Sequence, residues 1–141
     1  MRRAESAFTL IELMIVVSII AVIAAIAIPN LRASLAGSRE AAAIGSLRTI
    51  STAAEQYRLK VGDYPIGLTE LSGQFPGLID EELGQGQRNG YLFALVPVGG
   101  GYGCTADPDQ SPEARYFYVD HTGVIRYEPD ATAGPASSPI P

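Results

Sequence analysis

The stretch Leu13–Ile28 holds sixteen residues, of which only Ser18 is polar. Nothing else in the 141-residue chain is apolar enough or large enough to surround such a segment, so a buried core helix is disfavoured. Counted from Phe8 to Ile28 the run is twenty-one residues, about 31 Å as an α-helix, which matches the hydrocarbon thickness of a bilayer. Arg2 and Arg3 precede it and favour a cytoplasmic N-terminus. A secretory signal sequence, with Ala25-Ile26-Ala27 as its cleavage site, and a passive anchor are the simpler readings. Glu12 opposes both. A carboxylate inside an apolar helix is costly, and neither a discarded signal nor a passive anchor has a use for it.

The tract Ala7-Phe8-Thr9-Leu10-Ile11-Glu12-Leu13-Met14 resembles the type IV prepilin motif shared by type IV pilins and type II secretion pseudopilins. The resemblance covers roughly Ser6–Asn30 and rests on the short basic leader, the Phe-Thr-Leu-Ile-Glu block and the apolar run together. It implies a leader over 1–7 removed by a prepilin peptidase between Ala7 and Phe8, methylation of the new Phe8 amine, and an assembly role for Glu12 with Phe8. Alanine at position 7 departs from the family's usual glycine before the cut. Glu12 of one subunit would pair with the Phe8 amine of a neighbour. Each charge is costly alone in an apolar bundle, so such a pair sets register more than net stability. The family also implies an inner-membrane platform protein and an assembly ATPase as partners. It places the chain in the bacterial inner membrane as a single-pass precursor and then in a periplasmic or extracellular filament.

Residues 8–30 form the transmembrane and assembly half of the first helix in this reading, and Pro29 marks either its end or a kink in something longer. Ile44, Leu47, Ile50, Ala54, Tyr57 and Val61 recur at steps of three or four, with Arg39, Glu40, Arg48, Glu55, Arg58 and Lys60 between them. That pattern predicts one amphipathic helix continuing to about Val61 and ended by Gly62-Asp63-Tyr64-Pro65. Short helical turns at Leu68–Leu71 and Leu78–Leu83 and a loop at Gly84–Gly90 follow. Strands are expected at Tyr91–Val96, more weakly at Tyr102–Thr105 after the turn Gly99–Gly101, and at Tyr116–Asp120 and Val124–Tyr127 around His121-Thr122-Gly123. The fold class is α+β, a long N-terminal helix packed on a small antiparallel sheet, as in pilins. The globular domain spans 31–128, and the Pro-, Ala- and Ser-rich tail 129–141 is expected to be mobile.

A formal net charge of −5 with ten scattered basic residues disfavours a nucleic-acid surface. Cys104 is the single cysteine, which excludes an intramolecular disulfide and reads as a small core residue. His121 is the only histidine and stands in a turn, without a nucleophile-and-base constellation, so catalysis is not expected. No cofactor is required. Asp107, Asp109 and Asp120 are the residues to which a calcium ion would fall, as in some pseudopilins, but their spacing matches no calcium loop. Two functions within the family remain, a structural subunit of a type IV pilus and a pseudopilin of a type II secretion system. The tract Asp63-Tyr64-Pro65, Gly67-Leu68 and Leu71 distantly resembles that of major pseudopilins, and the absence of a C-terminal cysteine pair departs from many pilins. Neither decides, and the pilus subunit is the first reading with the pseudopilin as its alternative. Outside the family, the competitor is an exported monomeric binding domain that has lost its first 27 residues.

Overall fold

The computed structural model describes residues 8–73, 77–109 and 114–141. The expected leader 1–7, with Ala7, lies outside them. Helix α1 covers Leu10–Val61 and continues through Pro29. Proline supplies no N–H, so the carbonyl of Ala25 goes without its usual helical donor there. The chain divides into two compact units, one up to Leu35 and one from Ala36 to Pro141. In the first, α1 has no core to pack on: Leu10, Ile15, Ile20 and Ile26 are all exposed. Ser18, the polar interruption, satisfies its hydroxyl by donating to the Met14 carbonyl at 2.7 Å, the arrangement that lets serine sit in an apolar helix.

The second unit begins with the rest of α1, where Ala43, Leu47, Ile50 and Ala54 form a buried stripe at steps of four, three and four. The stripe is one step shorter than expected, because Val61 is exposed. The helix closes with Arg58 and Lys60 in its last turn, where cations suit the dipole. Gly62 follows at φ +94°, and its N–H caps the Arg58 carbonyl at 2.8 Å. That left-handed position favours glycine. Two short helices, α2 (Leu68–Ser72) and α3 (Glu81–Gly84), then contribute Leu68, Leu71 and Leu83 to the core.

A six-stranded antiparallel sheet follows in simple meander order: β1 (Gln87–Arg88), β2 (Tyr91–Val98), β3 (Gly101–Pro108), β4 (Tyr116–Asp120), β5 (Arg126–Glu128) and β6 (Ser138–Pro139). Tyr91, Phe93 and Leu95 of β2 are buried while Leu92, Ala94 and Val96 are exposed, the alternation of a half-covered sheet. Their buried face joins Tyr102, Cys104, Ala106, Phe117 and Val119 in one core with the α1 stripe.

Three departures from the expected strands have physical causes. Asn89 and Gly90 both take positive φ, 51° and 78°, so Arg88 pairs with Tyr91 across a two-residue turn. Asn-Gly is the strongest short hairpin signal, and it makes β1 out of what reads by composition as loop. Gly99 and Gly100 do the same between β2 and β3, which lengthens both strands to Val98 and Gly101. The tail is not free: Tyr127 pairs with Ser138 and Arg126 with Pro139, the Ile140 N–H reaches the Ile125 carbonyl at 3.0 Å, and Ala133 is buried. Backbone pairing holds this segment, and its composition carries no sign of that.

Candidate assembly site

The helix start is organised by the two polar residues of the Phe8–Glu12 block. Phe8 and Thr9 precede the first helical residue, Leu10, and Phe8 is exposed. Thr9 and Glu12 bind each other reciprocally. Glu12 Oε2 accepts from the Thr9 N–H at 3.0 Å and from the Thr9 hydroxyl at 2.8 Å, while the Glu12 N–H donates to Thr9 Oγ1 at 3.2 Å. This is a capping box, in which the threonine and glutamate satisfy N–H groups that the first helical turn leaves unpaired. Sequence reasoning missed it, although the Thr-x-x-Glu spacing is its signature. Glu12 thus has a role inside its own chain. The structure brings Glu12 to Thr9 and not to Phe8, and the Ala7 side of the expected cleavage bond lies outside the described residues.

The segment leading into β4 is tied to α1 by a polar clamp that the charge pattern also concealed. Glu40, which reads as part of a solvated face, accepts from the Arg115 N–H at 3.0 Å, from Arg115 Nε at 3.0 Å and from its terminal nitrogen at 2.7 Å. The guanidinium lies over Tyr127 and Phe117, 5.1 and 5.7 Å from the ring centroids. Seventy-five residues separate the partners, so no local pattern could announce the contact. Tyr102 reaches Ser51 Oγ at 2.9 Å, and burial pushes its hydroxyl up to about 12. At the end of α1, Tyr64 donates to Glu55 at 2.6 Å. That bond holds the Glu55 carboxyl below its ordinary range, assisted by Arg58.

The remaining candidates resolve into structural roles. Cys104 is fully buried, and desolvation pushes its thiol up to about 12, the opposite of what a nucleophile needs. The His121 ring covers Gly101, where an added Cβ would stand 2.6 Å from Nδ1. Asp120 accepts from the Thr122 N–H and hydroxyl, and Asp109 accepts from the Gln87 amide at 3.5 Å. Asp107 accepts at 3.5 Å from Thr132, and its other carboxyl oxygen is buried without a partner among the described residues. Among the described residues, no three His, Cys, Asp or Glu side chains converge where they could hold a metal ion.

One described helix is long and apolar enough to cross a membrane, and none of its apolar window is buried inside the chain. With an acid four residues beyond Phe8 and a helix-covered antiparallel sheet behind it, that defines a class: membrane-anchored α+β subunits of pilin architecture. The model of the prokaryotic N-terminal methylation motif matches residues 2–28. Type II secretion system core protein G of Pseudomonas aeruginosa is 30% identical over 122 residues, covering 82% of this chain and 83% of that protein. Type IV wide pilus major component PilA4 of Thermus thermophilus is 28% identical over 135 residues, covering 93% and 98%. A fimbrial protein of Pseudomonas aeruginosa is 40% identical over 79 residues, covering 48% and 51%. No solved structure matches the chain. The chain belongs to the family of type IV pilins and type II secretion pseudopilins.

Proposed function

We propose that this chain is a filament-forming structural subunit of a type IV pilus, with no catalytic chemistry of its own. A prepilin peptidase would cut between Ala7 and Phe8 and methylate the Phe8 amine. The single-pass precursor would then leave the inner membrane through a platform protein, driven by a cytoplasmic ATPase, for a periplasmic or extracellular filament. The carrying observation is an apolar helix with no cover in its own chain and with Glu12 in its first turn. Packed among copies of itself, such a rod exchanges lipid for protein, and Glu12 leaves Thr9 to meet the Phe8 amine of a neighbour. Pro29 serves as the kink or the point of unwinding as the helix passes from lipid into the filament.

Glu12→Gln separates the two roles of the residue, because glutamine keeps the capping box and removes only the charge. The variant is expected to insert in the membrane and mature normally, yet to yield few or no filaments. Wild-type yield would mean that the cap is what the carboxylate is for. N-terminal sequencing of the mature wild type checks the processing: methylated Phe8 supports the scheme, whereas a chain starting at Ile28 removes it. A second reading, a pseudopilin of a secretion system, is favoured by the match to type II secretion system core protein G over most of both chains. It requires that deletion of the chain stop export of folded proteins while leaving surface pili intact.

A further inference from the structure

An open groove of about 420 Å³ lies where the end of α1 meets the tip of the β2–β3 hairpin. Val61, Ile66 and Val98 line it together with Tyr57 and Tyr64, and the three aliphatic side chains are 57%, 68% and 48% exposed. Two carboxylates, Asp63 and Glu70, stand among them. Glu70 is fixed by accepting from the Ile66 N–H at 2.9 Å. Apolar side chains that converge while remaining this exposed mark a binding surface more often than chance scatter does.

Elsewhere in the chain a second surface has the complementary character. Ile28, Leu31 and Leu35 are 52%, 60% and 48% exposed and share one face of α1 with Arg32, at offsets of three, four and seven. Counting from Leu10, Ile28 is the nineteenth helical residue, and about twenty suffice to cross a bilayer core. Leu31, Arg32 and Leu35 therefore lie beyond what lipid tails cover. Arg32 has no ion-pair partner among the described residues.

We propose that the groove receives the Ile28–Leu35 face of a second copy of this chain, its aliphatic side chains between Val61, Ile66 and Val98 and Arg32 against Asp63 and Glu70. The inference rests on the filament reading and supplies it with a specific contact. Because the two surfaces are different patches, each copy offers one and receives the other. Such a heterologous contact does not close on itself and generates an open helical polymer. The charges give the contact polarity and register, and the apolar side chains supply its area.

Filaments sheared from cells producing the full chain can be treated with a short bis-maleimide. The native thiol, Cys104, is fully buried, so introduced cysteines report alone. Two pairs, Arg32→Cys with Asp63→Cys and Leu35→Cys with Val98→Cys, guard against one pair disturbing assembly. The expected product is a ladder of dimer, trimer and higher species, with no ladder from any single cysteine. In parallel, Arg32→Glu should lower filament yield by about tenfold, and the double variant Arg32→Glu/Asp63→Arg should restore it to within about twofold. Filaments that form but give no ladder from either pair would overturn the groove contact and leave the filament reading standing. A product joining Asp63→Cys to a different protein, without a ladder, would give the groove another occupant and likewise overturn it. A wild-type chain that forms no filament would remove the reading beneath.

Discussion

Gly45 offers a perturbation with opposite signs for the monomer and the polymer. It lies inside α1, where glycine is about 0.8–1.0 kcal/mol less favourable than alanine, and among the described residues nothing beyond its own helical turn stands within 4 Å of where a Cβ would project. Gly37 is equally open. Neither glycine is required by a positive φ or by a neighbour in its own chain, so the cost they impose is unrepaid within the subunit. With Ala41 and Thr49 they make a small-residue face at steps of four, the kind that lets two helices approach closely. Gly45→Ala should then stabilise the folded head by about 1 kcal/mol, raising the midpoint of thermal unfolding by about 4–8 °C for a unit near this size. Gly45→Leu should retain most of that gain, because the added side chain points into open space. Both should assemble worse than wild type, leucine more than alanine. Circular dichroism melts of the detergent-solubilised chain and the yield of sheared filaments, measured on the same variants, supply the two readings. A lower melting midpoint for the alanine variant would refute the helical account of this face. Full assembly of the leucine variant would refute the claim that another helix comes close to it.

Three further outcomes follow from the head. Glu40→Ala leaves the Arg115 guanidinium and its backbone N–H without an acceptor and should cost about 1–2 kcal/mol, discounted because Arg115 is itself 41% exposed; the urea midpoint checks it. Cys104 should resist maleimide at pH 8 in the folded chain and react fully in denaturant, since burial holds the thiol near 12. Asp107 is raised above the ordinary carboxyl range, chiefly by burial, so the folded state holds its proton more tightly than the unfolded chain does. Its ionisation therefore removes stability as pH rises through the region just above the usual carboxyl value. Asp107→Asn should be the more stable protein at pH 7, with the difference shrinking toward pH 3. A constant difference across that range would show that charge is not the cause.

What could be read from the residues divides by sequence distance. The α1 stripe comes from periodicity within one element and β2 from a short apolar run bounded by turn residues, and both appear in the structure with ends moved by a few residues. Gly62 ends α1 as turn chemistry requires. Long-range partners were invisible: Glu40 reads as one charge among several on a helix face until Arg115, seventy-five residues on and just before β4, reaches it. The tail fails for the same reason. Pro, Ala and Ser offer little area to bury, yet Ser138 and Pro139 are held through backbone pairing with β5, which composition does not encode. Two local signals were legible and passed over, Asn89-Gly90 as a hairpin turn and Thr9-x-x-Glu12 as a capping box. The second matters more, because an acid that looked inexplicable without an external partner has an internal one.

That internal partner changes how the acid is to be understood. A carboxylate with no ligand in its own subunit would be penalised at every moment before assembly, and the precursor would be under pressure to lose it. Thr9 removes part of that penalty by supplying two donors to one oxygen of Glu12. The sheet, meanwhile, is poorly made for the other common route to a polymer. Its outer strands, β1 and β6, are two residues each, and β6 contains Pro139, which has no N–H to give. Such short end strands offer little to an added strand, although β1 covers only Tyr91 and Leu92 of the eight-residue β2. A bare apolar helix makes the helix the economical mode of self-association. In the filament reading, copies would join through the helix, and Glu12 would move from a donor it already has to a stronger one on its neighbour. If Thr9→Val, which deletes the hydroxyl and keeps the shape, left both the amount of precursor and the rate of assembly unchanged, the holding role assigned to Thr9 would be wrong.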